Sequence, residues 1–208
     1  MTKNCSTSAE LYSDLLPIRK SFAGEFLFFL MVSAFSFFFV VLQFGLNFEY
    51  EPASLIAMAN NVAFKPAQYR VLIPWIARSI YDIRGQAHYS LHDIYWGIEF
   101  VAVFFLFYAF RFYLSLFINN KRENSLLSLS LILILPFNFL LPRFLPFYYP
   151  YDIPAILCFT LGLSALHENR KLWFYLIFLV ATLNKESSCF LAMVFYSPGG
   201  GKKNIKRC

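Results

Sequence analysis

Residues 26–46 hold twenty-one positions without one charged side chain, and that run constrains everything this chain can fold into. A hydrocarbon core about 30 Å thick is crossed by ~20 apolar helical residues, whereas a soluble bundle has no use for helices that are apolar on every side. The run is not isolated. Of 208 residues, 59% are hydrophobic, 27 are phenylalanine and only 14% are charged, against roughly a quarter charged in a soluble domain. The aromatics lie inside long apolar runs instead of at scattered core positions. A soluble helical bundle is therefore not expected. The first run also begins too late, extends too far and lacks the small-residue cleavage site of a signal peptide, so it predicts a retained anchor.

The same criterion places spans at 21–46, 91–118, 125–141 and 151–166, with a further apolar stretch at 172–196 interrupted by Asn184-Lys185-Glu186-Ser187. That stretch is either one spanning helix or two pieces too short to cross alone. The expected fold is all-α, a polytopic transmembrane helical bundle of about five to six membrane segments plus a short interfacial helix. The interfacial helix falls in residues 67–83, which carry Arg70, Pro74 and Arg78. The organisation is then a cytoplasmic N-terminal segment 1–20, a transmembrane domain 21–197 and a basic C-terminal tail 198–208. With the N-terminus inside, the cytoplasmic segments hold eleven Lys/Arg and the opposite ones six, the asymmetry of the positive-inside rule. Topology thus accounts for the net charge of +6. No basic stripe interleaved with aromatics suggests nucleic acid. Cys5, Cys158, Cys189 and Cys208 show neither a pairing pattern nor metal-ligand spacing.

Polar groups inside a membrane are costly and are usually carried for substrate, ion or partner contacts. On this topology four clusters collect on the non-cytoplasmic side: Glu49-Tyr50-Glu51, Gln68-Tyr69-Arg70 with the following Val71-Leu72-Ile73-Pro74, Arg143 with Tyr148-Tyr149-Pro150-Tyr151-Asp152, and Asn184-Lys185-Glu186-Ser187. The mixture suits an anionic, hydroxyl-rich substrate. Arg and Lys hold phosphate oxygens, a carboxylate accepts a proton from an attacking hydroxyl, and tyrosine rings face a sugar. Plainer roles stand beside these. Tyr148, Tyr149 and Tyr151 suit an aromatic belt, Glu49 and Glu51 a solvated loop, and Asp152 and Glu186 ion pairs that tie helices together. His88, His92 and Asp93 have helical spacing but no third distant metal ligand. Glu25, Glu99 and Arg111 lie in spans and are expected to contact other helices or snorkel. Pro136 should kink the third span. P-loop, nucleophile-elbow and HExxH motifs are absent from the sequence.

The order of these motifs, from Glu49-Tyr50-Glu51 through Gln68-Tyr69-Arg70-Val71-Leu72-Ile73-Pro74 and Tyr149-Pro150-Tyr151-Asp152 to Asn184-Lys185-Glu186-Ser187, resembles bacterial multi-span membrane proteins related to the GT-C glycosyltransferases. The likeness covers residues 22–196. It implies transfer of a sugar from a polyprenyl-phosphate carrier to an acceptor on the non-cytoplasmic face of a bacterial inner membrane. Glu49 or Glu51 would be the base. Arg70, Arg143 and Lys185 would meet the carrier phosphate. Asp152 and Glu186 would orient groups or hold a divalent metal, although no cofactor is required. Gln68, Tyr149 and Tyr151 complete the expected substrate contacts. The sequence departs from the family in length, about half the usual, and in using Glu-Tyr-Glu where aspartate is commoner. The resemblance therefore implies a transferase of this kind or the N-terminal module of one. The competing expectation is a non-enzymatic transporter-like or scaffolding membrane protein whose partner is lipid alone.

Overall fold

The computed structural model describes residues 7–65, 67–84, 90–141 and 147–196, with side chains from Ala23 onward. Among them the elements are α1 (Thr7–Leu46), α2 (Leu55–Ala59), α3 (Leu72–Arg84), α4 (Leu91–Ser115), α5 (Lys121–Ser128), α6 (Leu131–Phe139), α7 (Asp152–His167), α8 (Lys171–Asn184) and α9 (Cys189–Tyr196), with 3₁₀ turns at Glu51–Ala53, Ala67–Tyr69 and Glu186–Ser188. The described chain is all-helical apart from one isolated bridge, Phe48 to Phe147.

Among the described residues two helices are long and apolar enough to cross a bilayer: Ala23–Leu46 of α1 and Leu91–Ser115 of α4. Only 28% and 33% of their apolar windows are buried inside the chain, unlike the core helices of a soluble protein. Phe26, Leu27, Leu30 and Phe38 point outward from α1, as do Val101 and Phe105 from α4. The two helices run antiparallel, joined by the ring pairs Phe28–Tyr108, Phe35–Phe107, Phe37–Trp96 and Phe44–His92 at 4.7–5.5 Å. Edge-on packing of this kind contributes beyond the area it buries. At one end Glu25 accepts both guanidinium donors of Arg111 at 2.6 Å, so these two residues pair across helices. At the other end Ser90 and Asp93 form a capping box that starts α4, which gives Asp93 a structural task.

The all-helical expectation holds, but five to six spans are not supported, because the remaining apolar runs are broken. Residues 125–141 divide at Leu129-Ser130 into α5 and α6. There the Ser125 and Ser128 hydroxyls donate to backbone carbonyls three and four residues back, a competition that weakens helix continuity. Pro136 instead stays inside α6. Residues 172–196 divide at Lys185, whose backbone is extended (φ −157°, ψ 137°). The resulting α7, α8 and α9, at 16, 14 and 8 residues, fall short of the ~20 residues a full crossing needs. Within the expected 67–83, a 3₁₀ turn at Ala67–Tyr69 precedes one short helix, α3 (Leu72–Arg84), with Pro74 in its first turn, where a missing N–H costs little.

Leu131 and Leu135 of α6 and Ile153 of α7 complete the core between α1 and α4. A second core gathers Leu55, Met58, Ile73, Ala77, Tyr95, Tyr148 and Tyr151 at the loop end. In the third, α9 folds back onto α7, so that a Cβ at Gly162 would lie 3.0 Å from Leu191. Gly162→Val should therefore lower thermal stability by about 1–3 kcal/mol through overpacking. Adding Leu191→Ala should restore part of the loss, as read by melting curves in detergent. An unchanged melting point in the single variant would show that α9 does not press on α7.

Candidate functional site

The antiparallel α1–α4 pair delivers residues 47–90 to one end of the bundle. The Phe48–Phe147 bridge and the Tyr148 N–H, which donates to the Phe48 carbonyl at 3.0 Å, bring residues 147–152 to the same end. The break after α8 completes the cluster. Arg70 donates to Glu186 through two nitrogens at 2.5 and 3.0 Å, and Lys185 Nζ lies 2.5 Å from Asp152 Oδ1. Between these pairs stands Tyr151, 1% exposed, its ring centroid 4.5 Å from the Arg70 guanidinium and 5.6 Å from Lys185 Nζ. Tyr149 stacks on Tyr151 at 5.5 Å.

Local backbone chemistry holds the break open. Asn184 Nδ2 donates to the Tyr151 carbonyl at 2.9 Å, and Ser188 Oγ donates to the Ala181 carbonyl at 2.7 Å. Both side chains are buried, and they anchor the chain where the helical hydrogen-bond ladder stops. Arg70 pulls the Glu186 carboxyl below its ordinary range, and Glu186 in turn raises the Arg70 guanidinium further. Both groups are therefore charged at neutral pH. Asp152 and Glu186 each hold a cationic side chain instead of presenting open carboxylates.

Arg70, Tyr149, Tyr151, Asp152, Lys185 and Glu186 thus share one site. Of the other expected site residues, Glu51 opens a 3₁₀ turn and is exposed. Glu49 accepts weakly from the Leu55 N–H at 3.4 Å. Gln68 donates to the Asn61 carbonyl at 3.0 Å, bracing the loop where Asn61 takes a positive φ of 57°. Arg143 lies outside the described residues, as does His88, while His92 packs edge-on to Phe44. A cleft of about 330 Å³ opens beside the cluster, lined by Phe139, Ala155, Ile156, Phe159 and Phe190 with Asp152, Lys185 and Ser187.

One buried acid was not expected here. Glu99 of α4 is 0% exposed, and neither of its carboxyl oxygens completes a hydrogen bond. The buried Tyr148 hydroxyl is close enough to interact with it, and the charge of Asp152 acts on both. Burial, then Glu99, pushes that hydroxyl well above the usual tyrosine range, so Tyr148 is neutral. An acid inside a predicted span was the available signal; its neighbours were not visible in the sequence.

No protein-family model, curated protein or solved structure matches the chain.

Removing either partner of the Asp152–Lys185 pair leaves a partly buried charge without its counterpart, at a cost of about 1–3 kcal/mol. Asp152→Asn and Lys185→Met should each destabilise by that amount. The double variant should lose less than their sum, and a strictly additive cycle would show the pair to be uncoupled. A second outcome concerns acid. The lowered Glu186 value means that stability from the Arg70 pair is present above the unfolded glutamate value of about 4.3 and lost as pH falls through the lower folded value. Glu186→Gln should flatten the melting-temperature profile in that acidic window; an unaltered profile would place its acid sensitivity elsewhere.

Proposed function

We propose that the chain is an integral membrane protein acting as a glycosyltransferase, or its N-terminal module, that moves a sugar from a polyprenyl-phosphate carrier to an acceptor on the non-cytoplasmic face. The observation that carries the reading is the cleft beside the cluster. Its Phe139, Phe159 and Phe190 walls suit a prenyl chain, and Lys185 and Ser187 at its head suit a phosphate. Arg70 stands across Tyr151 from Lys185, placed to take a second anionic oxygen. Exposed Glu51 lies on the segment that reaches this end and is the preferred base, with Glu49 second. Binding of a phosphate exchanges Asp152 and Glu186 for the ligand and frees two carboxylates to orient an acceptor hydroxyl.

The proposed orientation puts the N-terminus in the cytoplasm. Lys121, Arg122, Arg170 and Lys171 all follow helix ends on the Glu25–Arg111 side: α4 ends there, Phe117 packs against His167 at 4.9 Å, and the charge of Lys121 acts on Glu25. Basic residues concentrate on the cytoplasmic side of membrane proteins. In this arrangement α7 and α8, ~24 and ~21 Å long by helical rise, lie in the bilayer, α7 against α4 and α8 against α7. The placement in a bacterial inner membrane rests on the sequence resemblance.

A second reading has its own observation. Arg70 and Lys185 are both already paired with carboxylates, which is what a non-enzymatic scaffold or small transporter-like protein would use to tie its helices.

Purified full chain, polyprenyl-phosphate sugar and candidate acceptors separate the two. The transferase reading expects turnover by wild type, a ~10²-fold or greater loss in Glu51→Gln and a loss in Asp152→Asn at temperatures where both variants remain folded. Equal turnover in all three proteins, or none in any, supports the scaffold.

A further inference from the structure

We propose that Glu99 is a proton-binding site inside the bundle, its bound proton shared with the Tyr148 hydroxyl. The assignment stands on placement and is independent of the transferase reading. Glu99 is fully buried in the longest stretch of α4, with both oxygens unpartnered, and Tyr148, 3% exposed, has an unpartnered hydroxyl beside it. The neighbouring hydroxyls of Tyr148 and Ser36 can each donate or accept, and what an ionised carboxylate would lack here is a cation. Ser36 Oγ and Gln43 Oε1, seven residues apart on one face of α1, are also buried and unpartnered. Ser36 lies between the Phe35–Phe107 and Phe37–Trp96 contacts, the stretch of α4 that carries Glu99.

The titratable groups around the site are few. From α7 comes Asp152, which is negative and whose cation, Lys185, is already engaged. From the loop comes Tyr148, on which the more distant charge of Glu49 also acts, and Tyr95 of α4 adds a second buried phenol that acts on Tyr148. Neither the described side chains of α1 nor those of α6 bring a formal charge to this depth; Glu25 of α1 is paired with Arg111 at the far end. An ionised carboxylate so placed has no counter-charge, and burial without one is strongly unfavourable. Protonation removes the uncompensated charge and lets the carboxyl donate to the phenol oxygen, or to an α1 oxygen, as well as accept. An ionisable group of this kind within a span is ordinarily retained for transport or exchange of an ion, and here the ion is the proton.

The test uses the full chain in detergent or lipid. Dicyclohexylcarbodiimide, which adds to protonated carboxyls in apolar surroundings, should modify Glu99 at neutral pH, as located by peptide mass spectrometry, while a water-soluble carbodiimide should not. Labelling should weaken as pH rises and vanish in Glu99→Gln. Independently, wild type should show a carboxylic-acid carbonyl infrared band that is absent in Glu99→Gln and displaced in Tyr148→Phe. The proposal is overturned by the absence of both adduct and band, by equal labelling with the water-soluble reagent, or by sodium ions blocking the adduct at constant pH, which would make the occupant a metal cation.

Discussion

Tyr151 is the residue on which the loop end of the bundle depends. Its ring receives one cation from the segment before α3 and another from the break after α8, while its carbonyl accepts the Asn184 amide. Each cation in turn holds a carboxylate. Three segments separated by up to 116 residues are thereby fixed around one buried aromatic side chain. Cation–aromatic contacts strengthen where water is excluded, and the phenol ring shields both ion pairs from one side. The site is consequently close to neutral as folded, two cations against two carboxylates. Any anionic ligand must displace a carboxylate to enter, and the freed acid then lies beside whatever the ligand brings with it.

Much of this was legible in the sequence, and the reasons for the rest are physical. The spanning part of α1 follows from length and the absence of charge, and α4 from length and hydropathy. Yet α1 begins at Thr7, ahead of the expected 21, and α4 ends at Ser115, short of the expected 118. The gathering of Arg70, Tyr151, Asp152, Lys185 and Glu186 at one end follows from antiparallel connectivity, since each lies in a connection on the same side of the expected spans. The break at Lys185 was flagged by polar residues inside an apolar run. The division at Leu129-Ser130 was not, because Pro136 is the stronger local signal and the serine hydroxyls that act there look unremarkable in a linear reading. Helices apolar all round carry no stripe to identify a partner face, so neither the return of α9 onto α7 nor the Glu25–Arg111 pair could be read from periodicity. Glu99 was visible as an acid in a span, but its unpaired state depends on Tyr148 and Asp152, about 50 residues away in sequence.

The broken helices also bear on the surroundings for which the fold is built. A helix that stops in water leaves its end groups to solvent, and no side chain is obliged to replace them. At the break between α8 and α9 the chain uses buried Asn184 and Ser188 to secure neighbouring segments, and Thr182, Thr160 and Ser164 each return a hydroxyl to the carbonyl four residues back. Internal satisfaction of this kind is what a hydrocarbon solvent demands of irregular backbone. Leu172, Leu176, Leu179 and Leu183 meanwhile turn outward along α8, a ridge that in water would be an association liability. The braced polar groups at the break and the apolar outer ridge of α8 are two consequences of one low-dielectric environment. The same environment makes the unpaired carboxyl of Glu99 costly to ionise, so that the feature least like a soluble core is also the one most suited to binding a proton.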